Sequence, residues 1–179
     1  MKKPKLLLHI CCVGCGVYVS QILQRDYDVK LFFYNPNIWP REEYKKRLDE
    51  AEKIAKQYDL ELIKGEYDHD KWLETVQGHE NDKEKGERCL ICYEFRLKAA
   101  AAMAKKLDCQ YFTTTLTTSP HKDALAVNKI GEQAAAKNDL KFLSQDFKKH
   151  DGFKKSSALS RELGLYRQNY CGCEFSQRT

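Results

Sequence analysis

Short β-prone runs alternate with helical stretches along this chain, and that alternation restricts the fold more than any other feature. Lys5–Ile10 is an apolar run, and Val29–Tyr34 is rich in aromatic and aliphatic residues. Shorter runs of this kind occur at Leu60–Ile63, Gln110–Thr115 and Leu140–Leu143. The intervening segments predict helices at Val17–Arg25, Arg41–Tyr58, Asp68–Val76, Arg88–Leu107 and Asp123–Lys137, with a last one at Lys154–Leu163. In Arg41–Tyr58 the apolar residues Tyr44, Leu48, Ala51, Ile54, Ala55 and Tyr58 share one helical face. Strands alternating with helices predict an α/β fold with a parallel sheet flanked by helices. A length of 179 residues fits one domain over 1–179. The tail Tyr166–Thr179 is expected to be irregular. In such a fold the site lies beyond the carboxyl ends of the strands. The unusual loops Cys11–Gly16, Asn35–Pro40 and Thr113–His121, and the residue Asp68, all follow expected strands.

The thiols add a second constraint. A chain of this length buries enough surface to fold without disulfides, yet it has 8 cysteines. Mean hydropathy is −0.68, and no run approaches the ~20 apolar residues of a membrane span. The apolar stretch near the amino terminus is only Leu6–Ile10, interrupted by His9, against about 7–15 residues for a signal-peptide core. A cytoplasmic location without a membrane partner is therefore expected. Thiols there stay reduced, so they read as metal ligands or redox groups. Seven are grouped: Cys11, Cys12 and Cys15; Cys89 and Cys92; Cys171 and Cys173. Cys109 stands alone and reads as a small buried core residue. A C-x-x-C turn brings two sulfurs to one metal, and two such groups complete a four-thiolate site for zinc or a [4Fe–4S] cluster. Seven exceeds four, which suggests a second centre. Cys11 and Cys12 are neighbours in an extended segment and point in opposite directions, so they suit two adjacent centres better than one ion. Cys89 and Cys92 begin a helix, where the helix end favours thiolate. Arg88 and Arg96 add positive charge there, or else form a solvated helix face.

Other signals are weaker. The run Thr113–Lys122 is rich in hydroxyls and suits phosphate or ribose oxygens, or a capped turn. Gly14 and Gly16 allow tight backbone, but no P-loop or G-x-G-x-x-G motif is present. Asp68 is a candidate acid or ligand, or a helix N-cap. In Lys141–Arg161, Phe142, Phe147 and Phe153 interleave with basic residues. That pattern fits single-stranded RNA, and equally a charged loop with core phenylalanines. The net charge of +5 is compatible with an anionic partner.

The segments LLLHICCVGC, FFYNPNIWPREEYKKR, ERCLICYEFRL, YFTTTLTTSPHKD and YRQNYCGCEFS resemble, in order, the epoxyqueuosine reductase family of the QueH type. The resemblance implies a Rossmann-like fold of the adenine-nucleotide alpha-hydrolase (HUP) kind. It implies an iron–sulfur oxidoreductase that reduces the epoxide of epoxyqueuosine to an alkene at the tRNA wobble position, supplied by an electron donor. The expected cofactors are a [4Fe–4S] cluster and a second, mononuclear iron. Their ligands lie among Cys11, Cys12, Cys15, Cys89, Cys92, Cys171 and Cys173, with the division left open. Cys11, Cys12 and Asp68 are the candidate catalytic residues. Asn35, Asn37, Arg96, Thr114, Thr115 and Ser119 are the candidate substrate contacts. Competing expectations are a zinc-stabilised RNA-binding module and an ATP-using tRNA thiolase or ligase of the same fold. The latter needs a Ser-Gly-Gly-type loop where this chain has Cys11–Gly16.

Overall fold

The computed structural model describes residues 2–177. Strands β1 (Lys5–Ile10), β2 (Asp28–Phe33), β3 (Leu62–Lys64), β4 (Tyr111–Thr114) and β5 (Lys141–Phe142) form one sheet in the order β3-β2-β1-β4-β5. Every pairing is parallel. Helices α1 (Val13–Leu23), α2 (Arg41–Gln57), α3 (His69–Thr75), α4 (Glu87–Lys106), α5 (Ala124–Ala136) and α6 (Gly152–Glu162) cover it. The chain steps outward from β1 to β3, then returns to place β4 on the other side of β1. Connections therefore diverge between β1 and β4 and leave a crevice at their carboxyl ends. Cys11 and Thr115 are the first residues past those ends.

Side-chain alternation divides the core into two layers. Leu6, Leu8 and Ile10 of β1 join Val29, Leu31 and Phe33 of β2 beneath the α1 and α2 side of the sheet. Leu7, Phe32 and Phe112 face the alanines of α4 and α5. Each fully buried leucine contributes about 1.5–3 kcal/mol relative to exposure. Small residues let α4 and α5 approach the sheet closely. At Gly131 a Cβ would lie 2.4 Å from the Phe142 ring. Helix α6 packs on α1.

Some local expectations change. Helix α1 begins at Val13, so Cys15 lies in its first turn and only Cys11 and Cys12 precede it. Gly14 and Gly16 are there for packing: a Cβ at Gly14 would meet Ser160 Oγ at 2.7 Å, and one at Gly16 would meet Ile10 Cγ2 at 3.2 Å. The hydroxyl run is no solvent loop. Thr115–Thr118 coils into a 3₁₀ turn whose side chains are all buried. Phe147 is buried in the core, whereas Phe153 is exposed. Among the described residues no helix is long and apolar enough to cross a membrane.

Candidate metal centre

The crevice holds a cavity of about 270 Å³. Cys11, Cys12, Cys15, Cys89, Cys171 and Cys173 line it. Cys92 lies behind, packed with Cys173, Trp72 and Val76. The chain thus gathers all seven grouped thiols from the β1–α1 junction, the first turns of α4 and the tail. Cys109 is buried at the opposite edge of the sheet, in the alanine-rich layer.

The tail reaches the cavity because α2 holds it. Arg47 and Glu43, one helical turn apart, form a buried ion pair at 2.7 Å. Arg47 also donates to the carbonyls of Cys171 (3.0 Å) and Tyr170 (3.4 Å). Tyr166 donates its hydroxyl to Glu43 at 2.7 Å, and Trp39 N donates to Gly172 O at 2.8 Å. Gly172 has φ +133, and a Cβ there would stand 3.1 Å from Ile38 Cγ1 and 3.2 Å from Arg47 Nη1. Glycine therefore permits the turn that places both flanking thiols.

The seven thiols fall into two groups by position: Cys11, Cys12 and Cys15 at the β1–α1 junction, and the other four at the start of α4 and on the tail. Cys12 hydrogen-bonds with both Cys11 and Cys15, and Cys11 N donates to Thr115 Oγ1 at 3.4 Å. Cys11 Sγ lies 3.8 Å from Thr115 Oγ1, and three of the other four sulfurs meet a donor from the surrounding protein. Lys85 N donates to Cys89 Sγ and Lys122 Nζ to Cys171 Sγ, both at 3.3 Å. Arg96 Nη1 lies 3.9 Å from Cys92 Sγ, while Ser176 Oγ donates at 2.8 Å to the Cys173 carbonyl rather than to its sulfur. Burial pushes the Cys89 and Cys92 thiols up, and Cys173 to about 11. At Cys12 the bond with Cys11 pulls down, but the bond with Cys15 and burial outweigh it, giving about 11. For Lys122, burial alone favours discharge, yet the negative charge available at Cys171 and Cys11 holds it protonated.

Among the described residues, no three His, Cys, Asp or Glu side chains stand ready-made around one ion. The donor chemistry nonetheless fits a thiolate-bound centre. Arg96 is fully buried, its Nε has no partner, and it forms no carboxylate pair among the described residues. Lys122 likewise faces sulfur. Thiolates on a metal would balance both cations, and a metal lowers the cost of ionising buried thiols.

The candidate substrate contacts separate. Thr115 and Ser119 line the cavity. Asn35, Asn37, Thr114 and Arg96 are fully buried outside its lining. Asn35 donates to Ile10 O at 2.9 Å and accepts from Arg96 Nη2 at 2.6 Å, tying the end of β1 to α4. Thr114 donates to His9 Nδ1 (2.8 Å) while His9 Nε2 donates to Tyr34 O (3.1 Å). Burial, then the Arg96 charge, pushes His9 down to about 3 and keeps it neutral. Asp68 accepts from Lys71 N at 3.1 Å as the N-cap of α3, and it is not on the cavity. The sequence reading did not single out Tyr93, Tyr166 or Arg167 as lining residues. Tyr93 follows Cys89 by four residues, so helical spacing alone places it on the same face.

The family model described as epoxyqueuosine reductase QueH matches residues 6–179. The Thermotoga maritima epoxyqueuosine reductase QueH is 37% identical, the match covering 96% of this chain and 89% of that protein. The Streptococcus pyogenes one is 31% identical, covering 98% and 71%. Among solved structures, the U34-tRNA thiolase NcsA from Methanococcus maripaludis with its [4Fe–4S] cluster has a similar fold, with TM-score 0.55 and 14% identity. That match covers 99% of this chain and spans 63% of the thiolase's length. The family match over nearly the whole chain, on residues that include all seven grouped thiols, makes this chain an oxidoreductase of the epoxyqueuosine reductase QueH family.

Proposed function

We propose that the chain reduces the epoxide of epoxyqueuosine within tRNA to the alkene of queuosine, with a [4Fe–4S] cluster and a second iron held by its seven grouped thiols. The reaction consumes two electrons and two protons and releases the epoxide oxygen as water. The observation that carries this reading is the convergence of seven thiols, six lining one cavity and Cys92 packed behind it. Cys89, Cys92, Cys171 and Cys173, brought together from the start of α4 and the tail, would hold the cluster. Cys11, Cys12 and Cys15 would hold the second iron; the expectation that Cys11 and Cys12 point apart gives way, because each side chain lies near enough to bear on the other's titration. When bound, the cluster supplies electrons one at a time and the iron a Lewis acid for oxygen.

The chain's own residues supply the setting. Thr115 fixes the backbone of Cys11. Lys122, Ser119 and Tyr93 bring polar hydrogens to the cavity wall, where the departing oxygen needs them. The buried network of His9, Thr114, Asn35 and Arg96 braces the ends of β1 and β4 beneath it. On this geometry Asn35, Asn37, Thr114 and Arg96 are positioning residues, and Asp68 caps α3. The electrons come from a separate reductant. The thiolase expectation is disfavoured because thiols occupy the β1–α1 junction that a nucleotide loop would need.

The test is anaerobic. Iron–sulfur-reconstituted protein is incubated with epoxyqueuosine-containing tRNA and a chemical reductant, and the nucleosides are analysed by mass. The expected product has lost one oxygen atom. A colourless, zinc-loaded protein that stays inactive after reconstitution overturns the proposal.

A further inference from the structure

Three phenylalanines interleave with lysines in Lys141–Arg161, and the structure separates them. The Phe142 ring fills the space above Gly131, and Phe147 is core. Phe153 remains 39% exposed and lines the mouth of the thiol cavity. It is held on a stiff stem. His150 and Asp151 both have positive φ, and α6 starts directly after them. A Cβ at Gly152 would fall 1.8 Å from Phe147 O, so that turn cannot relax around a larger residue. Lys85 and Arg167 lie on the same rim, both exposed. Neither takes part in an ion pair among the described residues. Glu84 is the only carboxylate among the lining residues, which leaves the rim cationic.

We propose that Phe153 stacks on an unpaired nucleotide adjoining the base being reduced, while Lys85 and Arg167 neutralise the flanking phosphates. This rests on the reading that the substrate is RNA. A base entering the cavity must leave its stack, and its exposed neighbour then needs a replacement surface. An aromatic ring provides one for any base, because every base has a π-face. Unpaired surface cations match the backbone that arrives with it.

The test is fluorescence anisotropy of the reconstituted protein with a labelled anticodon stem-loop carrying unmodified guanosine at the target position. Phe153→Ala and Phe153→Leu should each weaken binding about tenfold, with Phe153→Trp close to wild type. Lys85→Ala and Arg167→Ala should each flatten the slope of log K against log salt by about 0.7. Wild-type binding by Phe153→Leu would show apolar packing without stacking and overturn the proposal, as would wild-type binding by Phe153→Ala. If the wild-type chain prefers this stem-loop no more than a plain duplex, the RNA reading itself fails and takes the proposal with it.

Discussion

The Lys122 ammonium lies 3.3 Å from Cys171 Sγ, on the wall of a cavity that also holds Cys11. It forms no carboxylate ion pair among the described residues, so sulfur is its counter-charge. A hydrogen bond and positive charge at a cluster sulfur stabilise the reduced, more negative state. Lys122→Met should therefore keep its iron but lower the one-electron midpoint potential by about 60 mV, a tenfold change in that equilibrium. Lys122→Arg should recover most of the difference. Spectroelectrochemical titration measures both, and an unchanged potential in Lys122→Met would remove this role.

Gly172 makes a separate, structural demand. Its φ of +133 and its close approach to Arg47 and Ile38 leave no place for a side chain. Gly172→Ala should destabilise the metal-free protein by about 1–3 kcal/mol and lower its iron content after reconstitution, since both flanking thiols move. Denaturant melts and iron assay check the two effects.

The buried Glu43–Arg47 pair is what ties the tail to α2. Removing one member leaves a charge without its partner, so Glu43→Gln or Arg47→Met should cost about 3–5 kcal/mol. The double replacement by apolar residues should cost less than the sum of the singles. Limited proteolysis should cut the single variants first in the segment after α6. A double-mutant cycle by urea melts decides this, and strict additivity would show that the pair is not coupled.

Fold and site were legible to different degrees, for physical reasons. The parallel sheet follows from runs such as Val29–Tyr34, whose alternate residues are both apolar because both faces are covered. The grouped thiols were legible because chelation demands sulfurs close in sequence at loops and helix starts. Their hydrogen-bond partners were not, because the donors to Cys89, Cys92 and Cys171 arise from neighbours or distant residues whose placement depends on the tertiary fold. The Glu43–Arg47 pair escaped notice because an i, i+4 charge pair ordinarily lies on a solvated helix face. The threonine run was legible only in part for a related reason. Its hydroxyls satisfy buried backbone and side-chain groups, as Thr114 does for Leu116 N and His9, and only the burial pattern of the folded chain separates that from ligand binding.

The two proposed thiol sets predict opposite losses. On the proposed assignment, serine at Cys89, Cys92, Cys171 or Cys173 replaces a cluster ligand, and hard oxygen is a poor substitute for thiolate there. Those variants should lose the broad absorbance near roughly 400 nm and most of their iron. Serine at Cys11 or Cys15 should keep the absorbance, with iron falling by about one atom per chain, and should abolish turnover because the oxygen-binding centre is lost. Cys109→Ser, at the far edge of the sheet, should keep iron and turnover and cost only about 1–3 kcal/mol of stability for its buried hydroxyl. Iron and sulfide assays on the reconstituted series measure the division. Loss of the absorbance from Cys11→Ser with its retention in Cys89→Ser would reverse the assignment of the two sets.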